Sequence, residues 1–132
     1  MNIRILVVDD EPDIPDLFRQ RLRRELRKGD FDLAFAANGQ QALDMLAEAD
    51  PPDFLLVLSD INMPVMDGLT LLERAKAAWP GLQVIMVSAY TDQENRERAE
   101  ALGADDFIAK PVDFQKLREL IAGRAAPARR QG

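Results

Sequence analysis

The sequence predicts a doubly wound α/β sandwich: a parallel five-stranded sheet with helices on both faces. Three observations lead there. Short apolar runs alternate with longer amphipathic segments along the whole chain. The apolar runs are continuous, without the in-and-out alternation of a sheet wetted on one side. Five strand–helix pairs also fit into 132 residues without strain, and crossovers between parallel strands are right-handed.

IRILVVD (Ile3 to Asp9), FLLVLSD (Phe54 to Asp60) and LQVIMVS (Leu82 to Ser88) read as central strands, buried on both faces. FDLAFA (Phe31 to Ala36) and DDFIA (Asp105 to Ala109) are shorter and mixed, as strands nearer an edge would be. Ile14, Leu17, Phe18, Leu22 and Leu26 form the apolar stripe of a first helix. Pro12 and Pro15 stand at its start, where missing amide donors cost little, and Gly29 ends it. Ala42, Leu43, Leu46 and Ala49 mark a second helix that stops before Pro51-Pro52. Leu69, Leu72, Ala75 and Trp79 mark a third, closed by Pro80-Gly81. The fourth, TDQENRERAEALG, opens on a capping-box pair, Thr91 and Glu94. It offers only Ala99, Ala101 and Leu102 for apolar contact, so it should pack weakly. Phe114, Leu117, Leu120 and Ile121 define the fifth. Residues 1–123 read as one domain, and 124–132 as a tail or the start of a linker.

Composition excludes whole classes of chemistry. With no cysteine there is neither a disulfide nor a thiolate metal site, a usage that suits the cytoplasm. With no histidine, a Ser-His-Asp triad, a His-liganded metal and a phosphohistidine carrier are all ruled out within the chain. Any imidazole in the mechanism must come from a partner. Net charge is −6, which disfavours direct nucleic-acid binding through the whole surface. Arg19, Arg21, Arg23, Arg24, Arg27 and Lys28 crowd one helical stretch, and they read as a solvated face. The early apolar run Ile5 to Val8 is too short for a signal sequence, and no segment reads as a membrane span.

The polar residues at the strand ends are the informative ones. In open α/β sheets, sites form beyond the carboxyl ends of the strands, where the winding reverses. The first strand ends in Asp9 and Asp10, the third in Asp60, the fourth in Ser88 and the fifth in Lys110. Three carboxylates on one rim repel unless something positive holds them. A hard divalent cation is the economical solution, and Mg²⁺ suits an all-oxygen donor set. Asp60 beside a metal, a hydroxyl and an ammonium is laid out for phosphoryl transfer, with Asp60 as nucleophile. Mg²⁺ and Lys110 would neutralise charge on the transferred oxygens, and Ser88 would donate to one of them. Each residue alone also has a plain structural reading as a turn or cap former. The combination is far more specific than any member.

Together these residues resemble the receiver domain of two-component response regulators. VVDDEPD, SDINMPVMDG, VSAY and AKP stand in that family's order and spacing, over about residues 3–122. The resemblance implies a flavodoxin-like (βα)5 fold with strand order 2-1-3-4-5. It makes Asp60 the phosphoacceptor. Asp10, Asp60 and the Asn62 backbone carbonyl become direct Mg²⁺ ligands, with Asp9 acting through water. Ser88 and Lys110 contact the phosphoryl group, and Phe107 takes the place of the switch aromatic. Lys110-Pro111 takes the place of a cis peptide. Asn62 and Tyr90 flank the path of attacking water; Tyr90 either covers the acyl phosphate or packs on the fourth helix. The phosphodonor would be a sensor histidine kinase, which suits a chain without histidine.

As implied by the resemblance, the chain is no conventional enzyme and catalyses its own phosphorylation and dephosphorylation. The face made by the fourth helix, fifth strand and fifth helix would act on a downstream effector protein or a fused effector domain. A phosphorylation-dependent homodimer is a further expected state. A haloacid-dehalogenase-like phosphatase would show DxDxT after its first strand, where this chain has DDEPD. A receiver reduced to a constitutive interaction module would lack some of the acidic, hydroxyl and lysine positions, and here all are filled. A nucleotide-binding domain would carry GxGxxG or GxxxxGK[ST], and neither occurs.

Overall fold

The computed structural model describes residues 3–49, 51–63, 65–89 and 92–131, with side chains through 124. Strands β1 (Arg4–Val8), β2 (Asp32–Ala36), β3 (Leu56–Asp60), β4 (Gln83–Ala89) and β5 (Asp106–Lys110) form one sheet in the order β2-β1-β3-β4-β5. Every neighbouring pair is parallel. This is the flavodoxin-like order that the sequence implied, with the winding reversing between β1 and β3. Helices α1 (Ile14–Arg21), α2 (Arg23–Lys28), α3 (Gly39–Leu46), α4 (Gly68–Ala78), α5 (Gln93–Ala101) and α6 (Phe114–Gln131) complete the described elements. The second to fifth helices of the sequence reading are thus α3 to α6. None is long and apolar enough, among the described residues, to cross a membrane.

The continuous apolar runs are explained by two cores, one on each side of the sheet. Successive residues of a strand point to opposite faces. Leu6, Val8, Val57, Val84 and Met86 therefore meet α3, α4 and α5 through Ala42, Leu46, Leu69, Leu72 and Ala99. Their neighbours Ile5, Val7, Leu58, Ile85 and Val87 meet α1 and α6 through Ile14, Phe18, Phe114, Leu117 and Ile121. Phe18 anchors the second core with edge-on contacts to Phe35 and Phe114.

Four local expectations change. The first helix is distorted at Leu22, which is fully buried with φ −108° and ψ 17°. The hydrogen-bond ladder continues through Leu22 N–H to Phe18 and Leu26 N–H to Leu22. The distortion coincides with a side chain entering the ladder: Arg118 donates to the Arg21 carbonyl at 2.6 Å and to Glu25 Oε1 at 2.9 Å. Leu17, expected on the buried stripe, is 38% exposed. The N-cap of α5 is Asp92, whose carboxylate accepts from the Asn95 amide; Thr91 lies outside the described residues. Finally, α6 runs past Gly123 to Gln131.

At the amino ends of the strands, Lys76 ties α4 to β4 and β5. Its ammonium donates to the Leu82 carbonyl and to Asp105 Oδ2, both at 2.7 Å. The same carboxylate oxygen accepts from the Val84 amide at 2.7 Å. The opposite rim, at the carboxyl ends, carries the polar cluster.

Candidate functional site

Asp60 is the last residue of β3 and only 5% exposed. Asp9 follows β1 directly, across the winding reversal. One carboxylate oxygen from each of Asp9, Asp10 and Asp60 lies within 4.8 Å of the others. Parallel pairing is responsible, because Val8 sits beside Ser59 and carries the next residues of both strands to one level. Asp10 is exposed, Asp9 half-buried and Asp60 buried, so the cluster opens outward from Asp60.

Lys110, the last residue of β5, reaches across to this cluster. Its Nζ donates to Asp60 Oδ2 at 2.9 Å and lies 3.8 Å from Asp9 Oδ2. Glu11 Oε1 is a third partner at 3.2 Å. Burial opposes the ammonium charge. The hydrogen bond and field of Asp60, with Glu11 and Asp9, outweigh it and hold the pKa above the ordinary lysine range. Lys110-Pro111 is cis, as the resemblance implied.

The acids remain under-neutralised. Burial lifts the Asp9 carboxyl above its ordinary pKa, and repulsion from Asp60 and Glu11 adds to it. The Glu11 amide, donating to Asp9 Oδ1 at 2.9 Å, and Lys110 pull it the other way. One ammonium among four carboxylates leaves room for more positive charge. Three clustered carboxylate oxygens, with no nitrogen or sulfur donor, suit a hard cation of the Mg²⁺ type.

Ser88 and Asn62 fall on the same rim, whereas Phe107 is the second residue of β5. Ser88 is 3% exposed, one residue beyond Val87, the partner of Asp60 in the sheet. It borders a cavity of about 110 Å³ shared with Phe107. Phe107 is half-buried on β5, packed against the α3–α4–α5 core. Asn62 is exposed just after Asp60, and its amide faces Asp60 Oδ1 at 3.3 Å. Tyr90 lies outside the described residues. A groove of about 520 Å³ lies elsewhere, between Arg21, Arg23 and Arg118. Its lining includes a single carboxylate, Asp113, whereas three meet at the carboxyl rim.

Two supporting residues were not recognised in the sequence. Glu11 follows Asp9-Asp10 directly, and its position in DDE was the available signal. Gly68 had none. It begins α4 against β3, its amide donating to the Ile61 carbonyl at 2.7 Å. A Cβ there would collide with the Asp60 carbonyl oxygen. Asp67 caps the helix by accepting from the Thr70 amide at 2.8 Å.

Comparison with known proteins agrees with this geometry. The family model described as response regulator receiver domain matches residues 5–122. Sporulation initiation phosphotransferase F of Bacillus subtilis is 35% identical over 121 residues, covering 92% of each protein. The transcriptional regulatory protein ZraR of Escherichia coli K12 is 38% identical, but the chain spans only 26% of it. The crystal structure of a CheY-like receiver domain protein from Methanospirillum hungatei superimposes with a TM-score of 0.82 at 34% identity, over the whole of both chains. With the acid cluster and its lysine at the carboxyl rim of a 2-1-3-4-5 sheet, these matches make the chain a member of the response regulator receiver domain family.

Proposed function

We propose that this chain takes a phosphoryl group from a sensor histidine kinase onto Asp60 and uses it to change an interaction face. One observation carries the reading: a buried carboxylate at a strand end, bonded to Lys110 at 2.9 Å and set beside two further carboxylates. An Asp60 oxygen attacks the phosphorus of a phosphohistidine. The P–N bond breaks, and its electron pair stays on the imidazole nitrogen, which takes a proton from solvent. The product is an aspartyl phosphate. Lys110 is positioned to donate to the incoming oxygens, and Ser88 lies on the same rim to donate to another.

Asp10, Asp60 and the Asn62 backbone carbonyl would hold Mg²⁺, with Asp9 acting through water, and the ion supplies charge neutralisation when bound. Dephosphorylation follows when water attacks phosphorus and the bond to Asp60 breaks, releasing inorganic phosphate. Asn62 flanks that approach.

A phosphoryl group adds negative charge and acceptor oxygens at Asp60. Ser88 turns toward it, and Phe107 turns into the space beside Ser88. The output face is α5, β5 and α6. Moving this switch from one-tenth to nine-tenths active takes about 2.6 kcal/mol of differential stabilisation, within reach of a few charge-assisted hydrogen bonds. The partners are a kinase and an effector, separate or fused, without direct nucleic-acid contact; a phosphorylation-dependent homodimer is a further state. The receiver occupies 1–123, with 124–132 leading away from it, and it works in the cytoplasm.

Incubation with acetyl phosphate and Mg²⁺, followed by intact-mass measurement, tests the reading. One added phosphoryl group, absent in Asp60→Asn, is the expected result. Equal labelling of that variant would remove Asp60 from the role.

A further inference from the structure

We propose that Arg96 is a positioning residue for the aromatic switch: it clamps the Phe107 ring to α5, so that inward rotation of the ring releases the helix. The signalling consequence of this clamp rests on the switch reading above.

The Arg96 guanidinium carbon lies 5.2 Å from the centroid of the Phe107 ring, within the range at which a ring face attracts a cation. The ring belongs to β5 and the guanidinium to α5, so the contact ties a helix to the sheet. That helix has few other ties. Ala99 is its only buried residue. The side-chain bonds from Gln93 to Glu97 and from Arg98 to Asn95 stay within the helix and hold nothing to the sheet. Leu102 and Ala104, just beyond it, add half-buried contacts with the core. A helix anchored this sparsely opens locally at low cost, and each remaining contact weighs heavily in where it sits.

The cavity beside Ser88 gives the clamp its direction. Its walls include Ser88, Phe107 and Arg96, with Lys116 of α6 completing the cationic side. A ring turning toward Ser88 takes its π face away from the guanidinium. Arg96 does not follow easily, because Lys116 places a like charge at the same cavity. Inward rotation of Phe107 therefore releases Arg96, and with it one of the few contacts holding α5.

Amide hydrogen exchange of α5 tests this in the full chain, with β1 and β3 amides as the control for global destabilisation. Without any phosphodonor, Arg96→Met should speed exchange at α5 roughly two- to five-fold, the loss expected from a partly exposed cation–π contact. Arg96→Lys, which keeps a cation, should recover part of the protection. Arg96→Met in a Phe107→Leu background should add nothing, since both substitutions remove one contact. Unchanged α5 exchange in Arg96→Met, or additive effects of the two substitutions, overturns the clamp. Neither arm needs a phosphoryl group, so both decide the matter even if Asp60 accepts none. With beryllofluoride and Mg²⁺ bound, α5 exchange should rise in the wild type and not in Arg96→Met. An equal rise in both overturns the coupling between ring and helix, whereas failure of beryllofluoride to bind counts against the phosphoacceptor reading alone.

Discussion

Gly68 lies against the backbone of Asp60, with no room for a Cβ between them. The end of β3 and the first turn of α4 are joined there by the Gly68 amide and the Ile61 carbonyl. A side chain at Gly68 must push the helix away from β3 or displace the carbonyl of Asp60. Gly68→Ala should cost about 2–3 kcal/mol, as overpacking against backbone does, lowering Tm by ~10 °C. Gly81→Ala, where no atom lies within 4 Å of the added methyl, should stay within about 0.5 kcal/mol. Thermal unfolding of the two variants checks both values.

Lys110 carries a pH signature. Its folded pKa is raised above 10.5, so the stabilisation from its contacts is complete below that pH. It is lost as pH rises through the higher folded value. In Lys110→Met the loss should be absent, and the two stability curves should converge at high pH. Urea unfolding between neutral pH and pH 11.5 reads this. The same variant should lose most phosphorylation by acetyl phosphate, by about 10²-fold or more if one preorganised donor is removed.

Asp9 behaves in the opposite sense at neutral pH. Its folded pKa is raised above 3.8, so the protonated form is favoured by folding and that contribution fades as pH rises through the folded value. At pH 7 the ionised group is a cost. Asp9→Asn should therefore raise Tm in the presence of a chelator. Wild type should gain about 2.7 kcal/mol when Mg²⁺ is at a hundred times its dissociation constant, and the variant should gain less at the same concentration. A Tm titration with Mg²⁺ separates the two effects.

At the opposite rim, Lys76→Met should leave phosphorylation unchanged while weakening the fold. It strands Asp105 and the Leu82 carbonyl, both bonded at 2.7 Å. The expected loss is about 1.5–3 kcal/mol, typical of hydrogen bonds to a charged group. Denaturant midpoints and the initial labelling rate provide the two readouts.

Much of this protein was legible in the sequence because the relevant signals are local. Continuous apolar runs mean burial on both faces, and the two cores on either side of the sheet meet that demand. Asp9, Asp60 and Lys110 could be brought to one rim because parallel strands all end on the same side. The failures have different causes. Leu22 gave no sign of a distortion, because Arg118 comes from the other end of the chain to reach the Arg21 carbonyl. Thr91 and Glu94 offered a capping box, but the Asp92 carboxylate beside them caps α5 in their place.

What the sequence determined by itself is the alternation of strands and helices and the kind of side chain at each strand end, since both depend on residues near one another in the chain. Tertiary structure alone decided which atoms meet: Glu11 on Lys110, Arg96 on Phe107, Gly68 against Asp60. Those contacts depend on strand register and helix placement, and a shift of an ångström or two, invisible in any sequence pattern, makes or breaks them.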